Sequence, residues 1–156
     1  MIDSKQLRNL IIKPALDSLQ LYSSHAEELL VFTCATESLG GHYLAQVKGP
    51  ALGIYQMEPA TYSDLWQRFI TRNSKISTLL GMHFNVNLIP PEERLIYDLR
   101  YATAMSRLFY FRIAEKLPDA SKIDDIWSYY KKYYNTEKGK AKKSESIEKY
   151  QNYISQ

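Results

Sequence analysis

Four of the chain's six glycines fall between Gly40 and Gly53, and the sequence on either side of them is helical in pattern. A chain built this way folds as helices broken by one irregular excursion. Upstream, Ser24-His25-Ala26-Glu27 has the Ser-x-x-Glu spacing of a capping box, followed by the apolar residues Leu29, Leu30, Val31, Phe32 and Ala35. The spacing predicts a helix starting at Ser24. Gly40 and Gly41 tolerate positive φ, which ends that helix and places Glu37 in its last turn. From His42 to Gln56, Gly49-Pro50 and Gly53 interrupt Tyr43, Leu44, Val47, Leu52 and Ile54, a pattern that predicts a small β-hairpin or an irregular tongue. His42 is a candidate acid or base, but a single histidine after a Gly-Gly turn is more often structural or exposed.

The remaining segments are helical. Leu7, Leu10, Ile11, Leu16 and Leu19 mark a helix over 3–21, with Asp3 as N-cap and Pro14 as a kink. Pro59 opens a helix to Arg72 that buries Leu65, Trp66, Phe69 and Ile70. The segment 76–87 is ambiguous, with one short helical turn at Leu79-Leu80-Gly81-Met82 as a candidate groove wall. Pro90-Pro91-Glu92-Glu93 starts what reads as the longest and central helix, continuing toward Pro118, with Arg94, Arg100, Arg107 and Arg112 around it as a solvated face. Asp124 or Ser121 caps a helix from Asp125 to Tyr134, and Ser144 to Ile154 is amphipathic with Ile147, Tyr150 and Ile154 inward. The fold class is mainly α, and 156 residues with 45% hydrophobic content suit a single domain over 1–156.

Glu37 carries the chemistry. The partial negative charge of a helix C-terminus opposes ionisation of a carboxyl group there, and Leu30, Thr33 and Cys34 on the same face withdraw water from it. Both effects favour a protonated acid near neutral pH, which is what a general acid for glycosidic cleavage requires. The plainer alternative is a solvated surface glutamate. Glu58, before Pro59, sits at a helix N-terminus, where the charged form of a carboxyl group is favoured; it reads either as a second acid or as an ordinary helix cap.

Other chemistries find little support. One cysteine, Cys34, forms no intramolecular disulfide and reads as a small buried residue. Three histidines and one cysteine do not cluster at ligand spacing, so no metal or cofactor is implied. A net charge of +3 suits an anionic partner such as a cell wall, and the lysines from Lys138 to Lys143 lack the aromatic interleaving of a nucleic-acid surface. No classical signal peptide and no transmembrane segment is visible, so the expectation is a soluble protein of a host cytoplasm or a virion.

The segment Gly49-Pro50-Ala51-Leu52-Gly53-Ile54-Tyr55-Gln56-Met57-Glu58-Pro59-Ala60-Thr61 resembles the second signature of lytic transglycosylases and goose-type lysozymes, a Gly-x-x-Gln run closed by Pro-x-Thr. Glu37-Ser38 resembles their first signature, and Tyr134-Asn135 their late Tyr-Asn pair. The resemblance implies a lysozyme-like fold and cleavage of peptidoglycan glycan strands between N-acetylmuramic acid and N-acetylglucosamine, with Glu37 as the acid. Ser38, Tyr55, Gln56 and Tyr134 would position substrate or Glu37, the Tyr134 hydroxyl contacting the acid, and Asn135 would hold the local backbone. Three positions depart from the pattern. Tyr55 stands where the family has Met, Trp127-Ser128-Tyr129-Tyr130-Lys131-Lys132 replaces an Ala-rich run, and Glu58 matches an acid of goose-type lysozymes rather than the apolar residue of transglycosylases. Transglycosylation is slightly favoured over hydrolysis through Glu58. A muralytic role without a signal peptide implies delivery by a phage virion or a membrane-permeabilising partner, as for an endolysin. The rival from another class is a non-catalytic virion structural or binding protein that keeps the fold.

Overall fold

The computed structural model describes residues 1–156 and is mainly α, with eight helices and no β-strand. Three consecutive helical stretches, Ser4–Gln6, Leu7–Ile12 and Lys13–Ser18, form α1. The Asp3 carboxylate caps it, accepting from the Gln6 amide at 2.9 Å. Leu7–Ile12 is wound as a π-helix, the Lys13 amide donating to the Arg8 carbonyl five residues back. Widening the turn just before Pro14 accommodates a residue that lacks an amide and whose ring crowds the preceding turn. The helix therefore absorbs the expected kink and continues.

Helix α2 is Ser24–Ser38, the longest stretch of regular α-helix in the chain. Its N-cap is Ser23 rather than Ser24: the Ser23 hydroxyl accepts from the Ala26 amide at 3.0 Å. Glu27 then lies one position too late for a capping box and pairs with Arg8 at 3.0 Å instead. At its other end Leu39 takes up the left-handed conformation at φ 53°, with Gly40 and Gly41 also at positive φ. Gly40 has a second constraint, since a Cβ there would lie 2.2 Å from the Tyr153 ring.

The expected hairpin is absent. Residues 42–57 form an irregular tongue with two isolated antiparallel bridges, Ala45 to Leu52 and Leu52 to Met57. Gly53, at φ +75°, passes so close to the Leu95 carbonyl that a Cβ would come within 2.3 Å of it. That approach is closed to any other residue, and it bends the tongue back toward the helices. His42 is exposed, edge-on to Tyr43.

Helix α3 (Pro59–Arg68) runs into a 3-10 turn at Ile70–Arg72 and buries Leu65, Trp66 and Ile70. The ambiguous segment is a full helix, α4 (Ser74–Phe84), capped by Asn73, and it lines no part of the cleft described below. The helix expected to be longest is split into α5 (Arg94–Tyr97) and α6 (Leu99–Phe111), because the Asp98 side chain turns to accept from the Tyr101 amide at 2.9 Å and starts a new helix. It is still central, with every residue from Tyr101 to Tyr110 buried. Of the four arginines expected to form a solvated face, Arg100 is exposed and the other three are drawn into the structure. Arg107 is 6% exposed and donates to the Leu21 carbonyl, burial lowering its pKa to about 10, while Arg94 and Arg112 pair with Asp98 and Asp64.

Helix α7 (Ile123–Tyr130) continues as a π-helical turn over Lys131–Asn135, and its N-cap Lys122 has no side-chain cap, unlike the expected Asp124 or Ser121. Helix α8 (Lys143–Ile154) closes the chain. Ser146, Tyr150 and Tyr153 face inward, whereas Ile147 is partly buried and Ile154 is exposed. One continuous core of 37 buried residues joins α1, α2, α6, α7 and α8 to the tongue. No helix is long and apolar enough to cross a membrane.

Candidate active site

The end of α2 and the tongue are tied together by Ser38. Its hydroxyl donates to the Ile54 carbonyl at 2.6 Å and accepts from the Gly41 amide at 2.9 Å. Tyr55 is 1% exposed and its hydroxyl pairs with Thr103 on α6 at 3.0 Å. Both residues, expected to position substrate, have side chains turned into the scaffold, and neither lines the cleft. Gln56 does line it. Its backbone has positive φ, 47°, and its Nε2 donates to the Gly53 carbonyl at 2.7 Å, which fixes the tongue where it returns to α3.

Glu37 is half-buried in the last turn of α2, at the wall of a cleft of about 900 Å³. Burial is the main influence on its proton, raising the pKa to about 7 against opposing effects from a Tyr130 hydrogen bond and the nearby Lys149 charge. The Tyr130 hydroxyl donates to Glu37 Oε1 at 2.5 Å. A donor of this kind stabilises the carboxylate more than the acid, so it lowers the pKa that burial raises. It also engages one oxygen and leaves Oε2 for a ligand.

The tyrosine on the acid is thus Tyr130, one helical turn before the expected Tyr134. Residues four apart share a helix face, so both reach the cleft. Tyr134 is held elsewhere: its hydroxyl donates to the Tyr55 carbonyl at 2.7 Å, and its ring stacks on Tyr110 at 5.3 Å and meets Phe109 edge-on at 5.1 Å. It joins the wall to the tongue without touching Glu37 by a hydrogen bond. Asn135 also lines the cleft. Its Oδ1 accepts from Lys131 Nζ at 2.7 Å, and the same ammonium donates to the Gly139 carbonyl at 2.8 Å, so it staples the loop between α7 and α8.

The opposite wall comes from α3 and the end of α6. Glu58 is exposed, lines the cleft, and occupies the N-cap position of α3 without a side-chain capping bond. Beyond it Arg112 and Asp64 pair at 2.8 Å, and the Arg112 guanidinium lies over the Phe109 ring. From α8, Ser146 and Lys149 face the cleft on the Glu37 side, with Lys149 paired to Glu145 at 2.9 Å. No sequence motif marks Tyr130, Lys149, Arg112 or Thr36. Only the run of tyrosines at 129, 130, 133 and 134 carried a signal, since a tyrosine-rich helix offers hydroxyls on successive turns of one face.

Cys34 is fully buried, and burial pushes its thiol up to about 12, which removes it as a nucleophile. No group of three or more His, Cys, Asp and Glu side chains is placed to hold a metal ion. With this geometry in view, comparison with known protein families, with curated proteins and with solved structures finds no match.

Proposed function

We propose that the protein cleaves peptidoglycan glycan strands between N-acetylmuramic acid and N-acetylglucosamine, with Glu37 as general acid and then general base. The observation that carries this reading is a carboxyl group whose pKa is raised to about 7, in the wall of an open cleft, with one oxygen held by a tyrosine. A carboxyl group of this kind keeps its proton at neutral pH until a leaving oxygen needs it, and afterwards is basic enough to take one back. The resemblance of Glu37-Ser38 and of the run from Gly49 to Thr61 to transglycosylase signatures supplies the substrate class.

In the transglycosylase form, Glu37 gives its proton to the glycosidic oxygen as the bond to the muramyl anomeric carbon breaks. The resulting carboxylate, stabilised by Tyr130 and Lys149, takes the proton of the muramyl 6-hydroxyl as that oxygen bonds to the same carbon. One carboxyl group serves both steps, and a 1,6-anhydro end forms. Hydrolysis is the second reading, and the observation that favours it is Glu58, whose side chain is exposed in the same cleft and is not used in capping α3. In an inverting hydrolase a second carboxylate activates water. Delivery to the wall would fall to a virion or a membrane-permeabilising partner.

Turbidity clearing of permeabilised Gram-negative cells tests the reading. The parent clears them, and Glu37→Gln, which removes the proton donor at nearly constant shape, does so slower by roughly 10²- to 10⁴-fold. Equal clearing by the two proteins would remove Glu37 from the chemistry.

A further inference from the structure

The positive charge of the chain is gathered in one short segment. Residues 131–143 hold six lysines, Lys131, Lys132, Lys138, Lys140, Lys142 and Lys143, against one acid, Glu137, a net charge of +5. The whole chain has 20 basic and 17 acidic residues and a net charge of +3, so the 14 basic and 16 acidic residues outside the segment leave the rest of the molecule at −2. The segment comprises the π-helical turn that ends α7 and the loop leading into α8. It forms the ridge between two concavities: Lys140 lines the cleft, Lys131, Lys132 and Lys138 line a second concavity of about 580 Å³, and Thr136 lines both.

The fold concentrates this charge instead of neutralising it. Only Lys132 and Lys143 meet carboxylates, Glu115 at 3.0 Å and Asp124 at 2.9 Å. The Lys131 ammonium turns to two neutral acceptors, Asn135 Oδ1 and the Gly139 carbonyl, and so draws the loop in around a positive charge. Lys138, Lys140 and Lys142 are exposed, and no carboxylate is paired with them. Within the same loop Thr136 is held at φ 66° and ψ 168°, a conformation ordinarily confined to glycine, and residues held in this way cluster at ligand clamps and switch regions. Gathered like charges raise the energy of the free protein, and a bound anion offsets that rise.

The chemistry of the surface limits what it can hold. No large apolar side chain from Lys131 to Lys143 is exposed, so nothing here enters a bilayer. Trp127, in the wall of the second concavity, is 9% exposed, and the Tyr133 ring packs on Tyr129 and carries the Lys132 ammonium at 4.9 Å, so neither ring is laid open for a base to stack on. The segment has no arginine, whose planar fork matches a carboxylate; lysine ammoniums on flexible stems act as point charges and suit phosphate charge repeated along a chain. We propose that residues 131–143 are a docking surface for a polyanion without bases, a phosphodiester chain lying beside the cleft. The surface stands on its own charge and geometry; only the expectation that this chain accompanies a glycan rests on the cleavage reading.

Calorimetric binding of poly(glycerol phosphate) over a range of salt concentrations tests this, with oligothymidylate of equal phosphate number and phosphatidylglycerol vesicles alongside. The expected result is that the polymer binds, that oligothymidylate binds no tighter, and that the vesicles bind more weakly. Replacing Lys138, Lys140 and Lys142 together by Gln should lower the polymer affinity about a hundredfold at low salt, about fivefold per charge, and make the slope of log affinity against log salt shallower by about 2. Replacing Lys5, Lys48 and Lys75 by Gln, exposed lysines outside both concavities, removes the same net charge and should change affinity about twofold at most. Glu137→Gln, which removes the one acid of the segment, should tighten binding about fivefold, a gain that misfolding does not produce. The docking surface is overturned if the polymer does not bind at low salt, if the two triple variants lose affinity equally, or if oligothymidylate or the vesicles bind tighter than the polymer. Release of fragments from purified sacculi is read separately: a protein that binds the polymer and releases nothing keeps the surface and loses the cleavage reading, and one that releases fragments without binding the polymer does the reverse.

Discussion

Glu37 closes α2 and Glu58 opens α3, so two carboxyl groups enter one cleft from helix ends of opposite polarity. Around Glu37 the core residues of α2 and α7 exclude water, a tyrosine hydroxyl fixes one oxygen, and burial raises the pKa to about 7. Around Glu58 the side chain is exposed and without a capping bond. The same residue type thus becomes a proton-holding acid on one wall and a solvated carboxyl group on the other. The difference comes from where each helix ends relative to the core, and it can be tested from both sides.

The largest expected effect concerns stability. The folded chain holds the Glu37 proton up to about pH 7, whereas an unfolded glutamate loses it near 4.5. Stability from this group is therefore complete below about pH 4.5 and is lost as pH rises through 7. Glu37→Gln lacks that loss and should be more stable than the parent at pH 8 by roughly 2–3 kcal/mol, a rise in melting temperature of about 5 °C or more, with little difference at pH 4. Thermal unfolding at the two pH values checks it. Equal shifts at both would mean that Glu37 titrates as an ordinary glutamate.

Tyr130→Phe comes next. It removes the donor that favours the carboxylate, so the Glu37 pKa rises further and the decline of activity with alkaline pH moves to higher pH. The rate itself should fall about tenfold, the worth of one hydrogen bond to a charged group at the lower end of its range. Tyr134→Phe gives the contrast. It should leave the pH profile in place and cost about 1 kcal/mol of stability, because it leaves the Tyr55 carbonyl without its donor. pH–rate profiles of the two variants, with their melting temperatures, separate the roles; a profile that moves with Tyr134 alone would reverse the assignment.

Glu58→Gln has the smallest expected effect, about twofold or less on rate, since a transglycosylase has no step for it. A loss of a hundredfold or more, in steady-state assays on soluble glycan fragments, would favour the hydrolytic reading.

Much of the Glu37 wall was legible in the sequence. The apolar run after Ser24 and the glycines at 40 and 41 specify a helix that ends just past the acid, and these are local signals. The N-cap still moved by one residue, because Ser23 and Ser24 both suit the position and Glu27 was drawn off to Arg8. Of the two forms expected for this segment, a small hairpin or an irregular tongue, the chain takes the tongue, where Gly53 packs against the Leu95 carbonyl, a contact that no local pattern announces. The break at Asp98 is a capping choice made inside a continuous apolar pattern. On the α7 and α8 wall, tyrosines recur on one helix face, so a Tyr-Asn pair could not say which hydroxyl meets the acid. Thr36 and Lys149 carry no motif, and their place depends on how α8 docks against α2.

The most direct test of the account is mass analysis of the fragments released from purified sacculi by the parent and by Glu37→Gln. The account predicts that the parent releases muropeptides lighter by one water than their reducing counterparts, the mark of an internal hydroxyl as nucleophile, and that Glu37→Gln releases almost none. Fragments released in equal amount by the two proteins, or none released by the parent, would contradict it.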